Sequence, residues 1–156
     1  MKSVMEAAAA KLAARNMTVE ELRRHLLAKG YLEGEVEEVL RQFREDGYLD
    51  DARYCRMYFE YAHARHKARN RIFAELRQKG VDSQVMEFAY EDYLAEKGVE
   101  VSETEMARQE AEKILRAAGL TMEDEIPEKI RGRVARKLHS YGYGSGLIYE
   151  ILGEMK

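Results

Sequence analysis

Three glycines set the frame for this chain. Aligning Gly30, Gly80 and Gly142 brings ELRRHLLAKGY (ending at Tyr31), RIFAELRQKGV (ending at Val81) and RVARKLHSYGY (ending at Tyr143) into register. Eight positions before the glycine stand Leu22, Ile72 and Val134, and four before it Leu26, Leu76 and Leu138. Six after it come Val36, Met86 and Ile148, and thirteen after it Phe43, Tyr93 and Met155. Four apolar columns kept in three copies read as a repeat of helix, tight turn and helix. Such a unit buries its apolar face fully only by stacking on neighbours. The glycines lie 50 and 62 residues apart, so a longer connection precedes the third copy.

Local signals agree with this frame. Leu22, Leu26 and Leu27 fall on one helix face, and Val36, Val39, Leu40 and Phe43 on the next. Thr18 with Glu21 forms a capping box, and Met17 with Leu22 the matching hydrophobic staple. Gly30 stops the helix, because a left-handed residue past the last turn is cheap only for glycine. The second helix ends at Gly47, and Asp50 is the expected N-cap of a third, roughly Asp51 to Lys67, with Leu49 and Tyr54 at staple spacing. The third helix of the second copy starts at Ser102, boxed by Glu105 and stapled by Val101 and Met106, and ends at Gly119. Thr121 to Ile126 is an acidic linker without periodicity. Pro127 suits the first turn of the next helix. Residues before Met17 form a lead-in helix, frayed at Met1 to Ser3. The expected fold is all-α: a lead-in helix (1–17), three-helix repeats at 18–67 and 68–120, and a shortened two-helix repeat at 121–156.

Composition excludes several classes. One proline in 156 residues argues for long helices, and 46% apolar residues permit real cores. No apolar run approaches the ~18 residues of a membrane span. A single cysteine, Cys55, precludes an internal disulfide and points to a reducing cytoplasmic setting. No phosphate loop, dinucleotide turn, nucleophile elbow or zinc-protease helix is present. His63 and His66 lie three apart on a helix, but Arg65, Lys67 and Arg69 would repel a cation, so a solvated face is the reading. Cys55 reads as packing and the Asp50–Asp51 pair as helix capping. The expectation is a protein without catalytic residues, metal or cofactor.

Charge is distributed unevenly. The net charge is −3, yet from Arg53 to Lys79 eight cations face only Glu60 and Glu75, a net +6. A second basic run holds Lys129, Arg131, Arg133, Arg136 and Lys137. Tyr54, Tyr58, Phe59 and Tyr61 interleave the first span, a composition seen on nucleic-acid surfaces and equally served by core packing. The helix after each tight turn is acidic, with Glu35, Glu37 and Glu38 in the first copy, which disfavours insertion into a DNA groove. The expected partner contacts are Arg65, Lys67, Arg69, Arg71 and Arg77, then Arg131, Arg133 and Arg136. A stand-alone nucleic-acid module using Arg65, Lys67, Arg69 and Arg71 is the alternative.

LLAKGY (Leu26 to Tyr31), GYLDDARY (Gly47 to Tyr54), the basic helix after it and ELRQKGV (Glu75 to Val81) together resemble the RecX family of regulatory proteins. The resemblance runs from about Leu12 to Met155, and Gly-Tyr-Leu-Asp-Asp is its most specific element. It implies tandem three-helix units in an elongated, curved, non-enzymatic molecule. It further implies that such a molecule lies in the groove of the RecA filament on single-stranded DNA, touching adjacent protomers. There it would restrain RecA's ATPase, filament extension, strand exchange and coprotease function in recombination and SOS repair. Gly30, Gly47, Tyr48, Leu49, Asp50, Asp51, Tyr54, Gly80 and Gly142 are expected as structural motif residues. A monomer, with at most weak direct DNA binding and no membrane contact, completes the expectation.

Overall fold

The computed structural model describes residues 2–97 and 102–155. Their regular structure is helical: α1 (Val4–Ala14), α2 (Val19–Ala28), α3 (Glu33–Glu45), α4 (Asp51–Ala64), α5 (Arg69–Gln78), α6 (Ser83–Lys97), α7 (Glu103–Ala117), α8 (Glu128–Ser140) and α9 (Ser145–Gly153). The register columns are the core. Leu22, Ile72, Val134, Leu26, Leu76, Leu138, Val36 and Met86 are all fully buried, and Ile148, Phe43, Tyr93 and Met155 nearly so. Burying one such side chain contributes about 1.5–3 kcal/mol.

The three turns share one backbone geometry. Gly30, Gly80 and Gly142 have φ of 98°, 85° and 92°. The amide after each glycine donates to the carbonyl five residues earlier, Tyr31 to Leu26, Val81 to Leu76 and Tyr143 to Leu138. This bond, with that of the glycine's own amide to the carbonyl three residues back, is the Schellman closure.

The chain forms two compact units: Met1–Tyr58 with Glu75–Tyr93, and Phe59–Ala74 with Leu94–Lys156. In the first, α2 and α3 pair and α1 lies against both. Its core includes Met17, Leu22, Leu26, Val36, Leu40, Phe43 and Leu49. In the second, α7, α8 and α9 pack on one another around Ala107, Ala111, Leu115, Leu138, Tyr143 and Ile151.

Each unit contains the same join between copies. Inside the first, Thr18 Oγ1 donates to the Lys79 carbonyl at 2.6 Å. Inside the second, the Ala68 amide donates to the Tyr141 carbonyl at 2.9 Å. Thr18 and Ala68 both stand twelve positions before their own copy's glycine, and Lys79 and Tyr141 one before the next copy's. The approach is close. A Cβ on Gly80 would lie 2.3 Å from Glu20 Cβ, and one on Gly142 2.6 Å from the Arg71 backbone nitrogen.

Several local expectations need correction. Leu27 is 37% exposed, because 100° per residue carries it off the line through Leu22 and Leu26. Helix α4 stops at Ala64, short of Lys67. His66 takes the left-handed role with φ 61°, and the Lys67 amide bonds to the Ala62 carbonyl. Pro127 sits one residue earlier than expected, as the extended N-cap of α8. Ser102 Oγ accepts from the Glu105 amide, but the Glu105 carboxylate turns to Arg108 and Gln109. The Val101 staple falls outside the described residues, as does Met1 of the frayed lead.

Candidate partner-binding surface

The corner between α4 and α5 carries four cations of the second unit, Arg65, Lys67, Arg69 and Arg71. Arg65 Cζ lies 3.7 Å from the Tyr61 ring centroid, and its Nη1 donates to the Tyr61 carbonyl at 3.2 Å. Tyr61 is 49% exposed, so cation and ring face water together. Arg69 Cζ lies 4.1 Å from the Phe73 ring, which stacks on the buried Phe59. Lys137 Nζ is 4.7 Å from the Tyr141 ring. Each pair is separated by four residues, which places cation and ring on one helix face. The attraction is about 0.5–1 kcal/mol at exposed sites. It also holds long side chains in place, reducing the entropy lost on docking.

The Ala68–Tyr141 bond brings this corner against the end of α8, so the Arg65–Arg71 part of the first basic run and the Lys137 end of the second lie within one unit. Arg71 is exposed, with its backbone against Gly142. Lys67 and Arg69 are half-buried, and Arg133 and Arg136 are exposed on α8. Arg131 differs in kind: it is half-buried, and its Nη2 donates to the Leu152 carbonyl at 3.1 Å, fastening α8 to α9. Arg77 is exposed but belongs to the first unit.

Beneath the corner lies a polar support that sequence reasoning missed. Glu110 is only 4% exposed, with its Oε2 3.4 Å from His66 Nδ1. The Tyr143 hydroxyl donates to the His66 carbonyl. Burial pushes the Tyr143 phenol well above its ordinary value, and the nearby Glu103 and Glu110 charges add to this. Glu103 in turn accepts from the Arg69 amide at 3.2 Å. The cation–ring pairs carry a sequence signal, a spacing of four residues, that the reading of the basic spans did not use. Glu110 gave no such signal, since a glutamate in the amphipathic α7 reads as solvated.

The Gly47–Tyr54 element forms a structural corner in the first unit. Gly47 has φ 81°, and the amides of Tyr48 and Leu49 both donate to the Phe43 carbonyl. Leu49 and Tyr54 are buried, whereas Tyr48 is 65% exposed with its ring edge-on to Phe43. Asp50 caps α4 through the Arg53 amide at 3.1 Å. Asp51 caps a different helix: its Oδ1 accepts from the Val19 amide at the start of α2, 3.0 Å away.

The remaining candidates resolve into packing. Burial, reinforced by Asp51 and Asp50, pushes the Cys55 thiol up to about 12, which keeps it protonated at neutral pH. Burial likewise holds the His63 imidazole below its ordinary value, and the His66 ring faces Glu110. Among the described residues no group of three His, Cys, Asp or Glu is placed to hold a metal ion. Nor is any helix among them long and apolar enough to cross a membrane.

Fold and surface together define an all-helical repeat protein whose most developed surface is a set of cations laid on aromatic rings. Residues 50–89 match the family model "RecX, second three-helix domain". The Regulatory protein RecX of Amycolatopsis mediterranei is 34% identical over 144 residues, 92% of this chain and 77% of that one. The chain belongs to the RecX family of regulatory proteins. A crystal structure of regulatory protein RecX superposes with a TM-score of 0.73 at 22% identity, over 97% of this chain and 70% of that one. RecX from Lactobacillus salivarius gives 0.74 at 19%, over 97% and 94%. Both show the shared fold. The matched second domain begins at α4, one helix ahead of the frame that starts each unit at residue 18, 68 or 121. The period is common to both framings.

Proposed function

We propose that this chain regulates the RecA recombinase in the cytoplasm, as a monomer. In this reading it binds the RecA filament on single-stranded DNA and restrains ATP hydrolysis, strand exchange and coprotease activity. The observation that carries the reading is the corner of the second unit, where Arg65, Lys67, Arg69 and Arg71 lie against the Lys137 end of α8, in a family of regulatory proteins. Cations held on rings suit a protein face of complementary charge, and chemistry is not required of any residue. The test is RecA ATPase on single-stranded DNA with the chain at stoichiometric amounts. Inhibition is expected, and Arg65→Ala with Arg69→Ala should weaken it several-fold. An unchanged rate with the unaltered chain refutes the reading.

A second reading has its own support. Lys129, Arg133 and Lys137 are exposed and recur every four residues along α8, about 6 Å apart along its axis. This spacing is comparable to that of phosphates on an extended strand. Direct nucleic-acid binding would then fall steeply with salt in the absence of RecA. Binding that survives Ala at Arg65, Lys67, Arg69 and Arg71 counts against the sequence-derived patch.

A further inference from the structure

We propose that the face between α1 and α2 in the first unit is a binding site for a compact phosphate-bearing ligand, one that carries two or more negative charges. This inference does not depend on the reading of the basic surface. The site is a shallow depression of about 420 Å³, in the range of small-molecule sites. Its charged lining is Lys2, Lys11, His25 and Lys29, and no carboxylate stands among them. In a chain with 29 acidic residues and a net charge of −3, four basic groups converging without an acid depart from the pattern around them.

Helical spacing brings these groups together. His25 lies on α2 and Lys29, its C-cap, four residues on. Lys11 faces them from α1, where Ala7, Ala10 and Ala14 complete the floor at i, i+3 and i+7. Methyl groups keep that floor low, so a ligand can settle between the ammonium groups. Lys11 and His25 are half-buried, and Lys2 and Lys29 are exposed. The nearest carboxylates on the two helices are engaged elsewhere: Glu6 accepts from Ser3 Oγ, and Glu21 pairs with Arg15 and Lys79. No charged residue of α3, which packs against both helices, reaches the lining. Burial, then the charges of Lys11 and Lys29, hold the His25 imidazole below its ordinary value, so the lysines already act on the interior of the site. Offsetting the helix dipoles accounts for Lys11, His25 and Lys29 one helix at a time. It does not account for Lys2, which precedes α1, where the dipole disfavours a cation.

Two observations select the occupant. The first is that the depression is closed at both ends. The α1–α2 connection, residues 15–18, crosses one end. At the other, the Tyr31 hydroxyl donates to the Lys2 carbonyl at 2.7 Å and ties the chain after α2 to the residue before α1. A nucleic-acid strand or an extended acidic peptide needs a groove that runs through, and a closed depression suits a ligand of limited length. Single strands also stack their bases on aromatic faces, and the one ring in this lining, Tyr31, is half-buried and held by that bond. The second is charge density. A phosphoryl group brings about two charges into the space where a carboxylate brings one. Lysine meets it as a point charge, without the planar geometry that an arginine fork imposes.

The test uses the full chain with inorganic pyrophosphate as probe, followed by calorimetry and by the imidazole resonances of the four histidines. Pyrophosphate should shift His25 and leave His63, His66 and His139 in place. A bound anion favours the charged imidazole, so binding draws a proton onto His25. Between pH 7.5 and 6 the affinity should therefore gain about threefold relative to that of His25→Gln, a comparison that removes the titration of pyrophosphate itself. Lys11→Gln with Lys29→Gln should weaken binding about tenfold, and Lys113→Gln on α7 should change nothing, with the urea midpoint as the check on folding. Adenosine triphosphate against tripolyphosphate distinguishes the sources. Tighter binding of the nucleotide assigns a ligand whose sugar and base lie on the alanine floor, and equal binding assigns the phosphate chain alone. No His25 shift at millimolar pyrophosphate, or binding that survives the double lysine change, overturns the proposal. So does tighter binding of an oligoglutamate or oligodeoxynucleotide of equal charge.

Discussion

Gly142 and Gly30 have nearly the same backbone conformation, φ 92° and 98°, but different surroundings, and alanine at each should separate two costs. Nothing lies within 4 Å of a Cβ on Gly30, so Gly30→Ala carries only the left-handed strain, about 1 kcal/mol. On Gly142 the new Cβ would stand 2.6 Å from both the backbone nitrogen and the Cβ of Arg71, neither of which is a movable side-chain end. Overpacking of this kind costs about 1–3 kcal/mol. Relief by separation would stretch the 2.9 Å Ala68–Tyr141 bond, forfeiting about 1 kcal/mol more. Gly142→Ala should therefore lose about 3 kcal/mol. With an m-value of about 2 kcal/mol/M, the urea midpoint falls by about 1.5 M, against about 0.5 M for Gly30→Ala. Gly80→Ala, facing Glu20 Cβ at 2.3 Å, should behave like Gly142→Ala. Equal losses at Gly30 and Gly142 would refute the inter-copy contact as the reason for the glycine.

Thr18 both caps α2 and donates to the Lys79 carbonyl from a fully buried position, so Thr18→Ala should cost about 2 kcal/mol by urea unfolding. Thr18→Ser should recover most of it, and a loss below about 0.5 kcal/mol would contradict the double role. His63 is held below its ordinary pKa by burial, so in mildly acidic solution the unfolded chain binds a proton that the folded chain resists. Stability should therefore fall as pH drops below about 6.5, and the urea midpoint of His63→Gln should fall less over the same range. Cys55 should resist a thiol reagent at pH 8 in the native protein and react fully in urea, and fast native reaction would contradict its burial.

The sequence made the periodic part of the structure readable, and the reason is physical. A helix that packs on both its own turn partner and a neighbouring copy must keep apolar residues at fixed distances from its stop signal. All twelve columned positions are accordingly buried. Start and stop chemistry was equally local: Thr18, Asp50 and the glycines act within a few residues of themselves. What depended on distant partners was not legible. Asp51 looked like a second cap for α4 and instead caps α2, because Val19 arrives from 32 positions away. His66 occupies the left-handed position that glycine holds in the other turns, and its support from Glu110 comes from 44 residues along the chain. Among the basic residues, sequence alone could not separate Arg131, spent on the Leu152 carbonyl, from the exposed Arg133 and Arg136.

The close approach that demands glycine at 142 also composes the basic surface. Because Ala68 bonds to Tyr141, the start of α5 abuts the end of α8, and Arg69 and Arg71 join Lys137 on its ring. The equivalent join in the first unit, Thr18 to Lys79, places Glu20 and Glu21 beside the Gly80 turn, with Lys79 Nζ 3.5 Å from Glu21. One backbone device thus presents different chemistry in two places: Arg69 and Lys137 lie against aromatic rings in the second unit, and Lys79 pairs with Glu21 in the first. The repeat supplies the geometry, and the residues just after each twelve-before position decide which charges are carried beside the join. In the proposed reading, RecA inhibition should follow Arg71→Ala more closely than Glu21→Ala, although both residues stand nine positions before their own copy's glycine.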